Sequence, residues 1–95
     1  MKFSEFIASL SHEMPPENIN DLLKALWHDH RNDWDKAHNI VQDIHTTDGS
    51  LIHAYLHRKE GDPGNARYWY NRAGEQMYAG TLEEEWNALA KKYLL

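Results

Sequence analysis

The sequence predicts an all-α domain in which two stacked helical hairpins are closed at each end by a further helix. Three observations lead there. Apolar residues recur at helical spacing along most of the 95 residues. Sliding the chain over itself by 29 residues lays "LLKALWHDHRNDWDKAHNIV" (Leu22–Val41) on "LIHAYLHRKEGDPGNARYWY" (Leu51–Tyr70) without a gap. Nothing in the chain reads as a strand. A period of this size is typical of helical hairpins stacked as repeats, and residues 1–95 are expected to form one such domain.

The first element is a short helix from Ser4 to Leu10, with Phe3, Phe6, Ile7 and Leu10 on its inner face. Pro15-Pro16 separates it from the repeats. In the first repeat, Ile19, Leu22, Leu23, Leu26 and Trp27 form one apolar stripe. Asn32-Asp33 breaks that helix, and Asp33 is a good N-cap for the next. Trp34, Ala37, Val41 and Ile44 make the second buried stripe, and "TTDGS" is expected to end the hairpin.

In the second repeat, Leu51, Ile52, Tyr55 and Leu56 form the first stripe. Gly61 suits a helix C-terminus, Asp62 caps the next helix, and Pro63 takes its favoured first position. Ala66, Trp69, Tyr70 and Ala73 form the following stripe, with Trp69 and Tyr70 assigned to the core, and Gly74 stops it. The Gly61–Gly64 stretch is therefore a helix–helix turn. It lacks both a preceding strand and the Gly-Lys-Ser/Thr ending of a phosphate loop.

A last helix closes the domain. Thr81 and Glu84 fit a capping box, and the acids of "TLEEEWNALAKKYLL" come early and its lysines late, as the helix dipole favours. Leu82, Trp86, Leu89, Ala90 and Tyr93 form its inner face.

The segments "NDWDKAHNIV" and "EGDPGNARYWYNRAG" resemble the turn and second helix of tetratricopeptide and Sel1-like repeats. Those families follow a Gly-Asp/Asn turn with a spaced Ala, an aromatic four on and another Ala three further. Ala66, Tyr70 and Ala73 match that spacing, and Ala37 and Val41 match it more loosely. The first helices depart from it, because the family's spaced Trp, Leu-Gly and Tyr are not clearly present. The offset is also shorter than the usual period of about 34 residues. The whole chain also resembles a group of short bacterial proteins of unknown function. These resemblances imply tetratricopeptide-like stacking in a free-standing domain.

Composition excludes several functions. The net charge is −5 and the basic residues form no stripe, so the electrostatic footprint of a nucleic-acid binder is missing. No apolar run approaches the ~20 residues that span a bilayer. The N-terminal "MKFSEFIASLSHEM" makes a poor signal peptide. There is no cysteine, which rules out disulfides, thiolate ligands and cysteine nucleophiles. A cytoplasmic location is expected.

The seven histidines are the chemical signal. Projected at about 100° per residue, His30 falls inside the apolar stripe of its helix. His28 falls opposite that stripe, beside Asp21 and Lys24. His53 and His57 also fall opposite theirs, on a shared face four residues apart. His28 and His57 occupy equivalent repeat positions, so His28, His53 and His57 are expected on one polar surface, whose plainest reading is a solvated face that happens to be rich in histidine.

Two functions follow. The leading one is a non-enzymatic binding or scaffold module without a cofactor. It would present His28, His53, His57 and Tyr68 to a protein or peptide partner, a second copy of the chain included. Tyr68 points away from its helix's apolar stripe and lies either exposed beside Arg67 or Arg72 or under the loop "EQMYAG". The alternative is a transition-metal site of zinc or nickel on the same three histidines, with Asp21, Asp29 or Glu60 as a fourth ligand and a possible hydrolytic role. "HAYLH" lacks the internal Glu of the zinc-protease motif. The serines sit in no nucleophile elbow, and Glu83-Glu84-Glu85 is explained by helix-start electrostatics.

Overall fold

The computed structural model describes residues 1–94 and is all-helical over them. The six helices are α1 (Phe3–Ser9), α2 (Asp21–His30), α3 (Trp34–Val41), α4 (Thr47–Glu60), α5 (Pro63–Ala73) and α6 (Leu82–Tyr93). Helices α2 and α3 pack as one hairpin, and α4 and α5 as the next. Helix α6 lies across α2 and α4.

The two hairpin turns are alike in detail. Asn32 and Gly61, at matching positions of the 29-residue offset, both take left-handed φ, 65° and 89°. The next residue donates its N–H to the carbonyl of the residue five earlier: Asp33 to His28 at 3.0 Å, Asp62 to His57 at 2.9 Å. Each aspartate then caps its helix, accepting from the N–H of Lys36 and of Asn65, both at 3.2 Å. Pro63 takes the first position of α5, where the missing N–H costs nothing.

Helix α4 begins earlier than the sequence reading expects. "TTDGS" is its first turn, not the end of a hairpin: Thr46 caps it by accepting from the Gly49 N–H at 3.1 Å. Gly49 is required by close approach, since a Cβ there would lie 2.8 Å from Ile44 Cγ2 and closer still to the Ile44 carbonyl oxygen.

The main core gathers Phe6, Leu23, Leu26, Trp27, Ile52, Leu56 and Trp86. Indole N–H groups tie its layers together. Trp86 donates to the Leu26 carbonyl at 2.9 Å, and Trp27 to the Ser9 carbonyl at 3.2 Å. Ile7, assigned to the inner face of α1, is instead 38% exposed. His30, assigned to an apolar stripe, is also exposed, with its ring resting against Trp86 at 4.7 Å between centroids.

Two buried carboxylates stitch α4 to its neighbours. Asp29 accepts from the Tyr55 hydroxyl at 2.7 Å and from Lys59 at 2.9 Å. Glu85 accepts from Arg58 at 2.8 Å and from the Tyr70 hydroxyl at 2.5 Å. Arg58 also donates to the Gly80 carbonyl. Burial and the adjacent carboxylate push both tyrosine hydroxyls well above their ordinary range. They therefore stay protonated donors, and each carboxylate keeps a partner on both oxygens. Among the described residues, no helix is long and apolar enough to cross a membrane.

Candidate metal centre

Helix α4 is the central helix, and this decides the site. It packs against α2, α3, α5 and α6. Every residue from Ile52 to His57 is buried as a result. The expectation that His53 and His57 lie on an open polar face is corrected: each is only 6% exposed. A helix contacted on several sides has no solvent face opposite its apolar stripe, so the periodicity misplaces the two histidines.

Their partner is His38 of α3, not His28. One nitrogen from each of His38, His53 and His57 lies within 4.8 Å of the others. Nε2 of His53 is 2.9 Å from Nε2 of His38. The rings of His53 and His57 stack along α4 at 4.8 Å, as their four-residue spacing allows, and the His38 ring stands edge-on to both.

Two indoles hold the cluster. Trp34 stacks on His38 from one turn earlier in α3, at 4.8 Å and 10°. It is fixed by donating its Nε1–H to the Leu56 carbonyl at 2.8 Å. Trp69 of α5 stacks on His53 at 3.9 Å and 14°. Trp69 is thus packed against the core from its edge, half-buried and covering the histidines, and not fully inside as expected, while Tyr70 is core. On the outer side of α5, Tyr68 is 52% exposed, and Arg72 donates to its hydroxyl at 3.1 Å.

Burial favours neutral imidazole here. It pushes the His53 pKa down to about 4, with the neighbouring His38 and His57 adding to the shift. The His38 pKa is also lowered, by burial and then by His57, against the opposing field of Glu60 and Asp35.

The other expected ligands fall elsewhere. His28 is half-buried, edge-on to Trp27 at 5.0 Å, and is not in the cluster. Burial, then Lys36, lowers its pKa. Asp29 is committed to Tyr55 and Lys59, and Asp21 is exposed beside Lys24 at 3.7 Å. Of the three carboxylates considered as a fourth group, only Glu60 approaches, its Oε2 3.4 Å from His57 Nδ1.

His38 was missed because the repeat offset pairs it with Arg67 and draws attention to His28 and His57. The available signal was local. His38 lies four residues after Trp34, which places it beside that helix's buried stripe.

Comparison of the chain with protein-family models, with curated proteins and with solved structures finds no match.

Proposed function

We propose that this protein binds a transition metal ion, zinc or nickel, through one imidazole nitrogen each of His38, His53 and His57. The carrying observation is the convergence of those three nitrogens within 4.8 Å. In a tetrahedral zinc site with Zn–N of about 2.0–2.1 Å, neighbouring ligand nitrogens stand about 3.3 Å apart. The 2.9 Å between His38 and His53 needs to open only slightly to reach that value. Imidazole suits zinc, nickel and copper. A low His53 pKa leaves little proton competition at neutral pH.

Three histidines leave a fourth position for water or an exchangeable ligand. Zinc-bound water there would have its pKa lowered to about 7, which is what a hydrolytic role requires. Calorimetric titration of untagged protein with Zn²⁺ and Ni²⁺ at neutral pH tests the reading. One ion per chain at sub-micromolar affinity, lost in His53→Ala with helicity intact, is expected. The absence of saturable uptake overturns it.

The second reading is a binding face for a protein or peptide, including a second copy of this chain. Tyr68 favours it: the ring is 52% exposed and is anchored by Arg72, and anchored Tyr and Arg are enriched at interface centres. The resemblance of the hairpins to tetratricopeptide-like scaffolds points the same way. Sedimentation over a range of concentrations tests the self-associating form. A dimer abolished by Tyr68→Ala supports it, and a monomer throughout overturns it.

A further inference from the structure

We propose that Glu60 is the outer-sphere partner of this centre: it accepts the Nδ1 proton of His57 and so leaves Nε2 of that ring unprotonated to bind the ion. The proposal rests on reading His38, His53 and His57 as ligands.

A neutral imidazole carries its proton on one nitrogen and can bind metal only through the other. Which nitrogen is free is set by the hydrogen bond made by its opposite. At Nδ1 of His57 two groups compete. Glu60 Oε2 lies 3.4 Å away at ion-pair distance, and Asn65 Nδ2, also 3.4 Å away, is the one in hydrogen-bond geometry. They are not equivalent. An ionised carboxylate can only accept, so Glu60 demands a proton on Nδ1. An amide offers either its oxygen or its nitrogen by turning over, so Asn65 follows the tautomer that Glu60 selects.

The local structure puts Glu60 in place. It is the last residue of α4, three after His57 and therefore on the same side of the helix. Gly61 in left-handed conformation ends the helix immediately after it. Asp62 also lies near His57. Its Oδ1 caps α5 by accepting from the Asn65 N–H, and of the two carboxylates it is Glu60 that makes the ion-pair contact with Nδ1. The Glu60 side chain is 38% exposed, so its replacement opens no cavity. Its negative charge also offsets part of the charge that a divalent ion brings to three neutral ligands.

Two measurements test the role. The first is ¹⁵N–¹H correlation of the His57 ring in metal-free protein at neutral pH. The wild type is expected as the Nδ1–H tautomer, with the Nε2–H form gaining population in Glu60→Ala and Glu60→Gln. The second is zinc titration of the same proteins, where affinity should fall about 10–100-fold, as loss of an outer-sphere partner does. Asp35→Asn removes a charge that acts on His38 without being the Nδ1 partner of His57. It is expected to leave the His57 tautomer unchanged and to weaken zinc less. An Nε2–H ring in the wild type, or zinc affinity unchanged in both Glu60 variants, overturns the role of Glu60 while the metal site stands. Wild-type protein that takes up no zinc overturns both.

Discussion

His38 and His53 meet through their Nε2 atoms at 2.9 Å, although 15 residues separate them in the chain. At that distance one ring must donate and the other accept, so the pair shares a single proton between the facing nitrogens. Two protonated rings would repel, and burial adds to the cost. A cation held by both Nε2 atoms would require the donor ring to carry its proton on Nδ1 instead, so that both rings stay neutral and both lone pairs face the charge.

The first prediction separates the two histidines that sequence and structure rank differently. His38→Ala abolishes zinc binding, and His28→Ala leaves it unchanged. Free zinc at 100 times its Kd should stabilise the wild type by about 2.7 kcal/mol. Thermal melts with and without zinc check this. Protection that persists in His38→Ala would refute the assignment of the site to His38.

The second concerns acid. The folded-state pKa of His53 is about 4, below the ordinary 6.5. As pH falls through 6.5 the unfolded chain takes up a proton that the folded chain refuses. Stability is therefore full above about 6.5 and declines toward pH 4, with His38 and His28, also lowered, acting in the same sense. Each pKa unit is worth about 1.4 kcal/mol, so the loss from His53 is on the order of 3 kcal/mol. Urea titrations of metal-free protein at stepped pH measure it.

The third is that Trp69→Ala costs less than the ~3–5 kcal/mol typical of a fully buried Trp, because the side chain is half-exposed. Its larger effect falls on His53, whose stacking cover it removes. The His53 pKa should rise toward the ordinary value, as followed by NMR titration. A histidine that still titrates near 4 would show that Trp69 does not shield it.

The fourth tests the buried carboxylate beneath α4. Tyr55→Phe deletes the hydroxyl that donates to Asp29 at 2.7 Å. A hydrogen bond to a buried charge is worth about 1.5–3 kcal/mol, and chemical denaturation should register a loss of that size. No loss would mean that Lys59 alone suffices for Asp29.

The fifth is Gly49→Ala. The new Cβ would meet Ile44 at 2.8 Å or less, against side chain and backbone together. Overpacking of this kind costs about 1–3 kcal/mol. A stabilised variant, as helix propensity alone would give, would show that the α3–α4 connection yields freely.

By itself the sequence determined the local grammar of this protein. The breaks at Asn32-Asp33, Gly61-Asp62 and Gly74, the capping box of Thr81 and Glu84, and the all-helical class depend on interactions within a few residues. Capping side chains and turn glycines carry those signals wherever the helix ends up. The composition of the histidine cluster was decided by tertiary structure alone. A helical wheel assumes one buried face and one wet face, an assumption that holds for α6 and fails for α4, which is packed against several neighbours. His53 and His57 became interior residues for that reason. His38 joined them because α3 lies against α4 at that level, a relation that the 29-residue repeat does not encode. Periodicity reports which side of a helix is apolar. Which foreign side chain faces it is set by how helices cross, through the summed packing of the whole core.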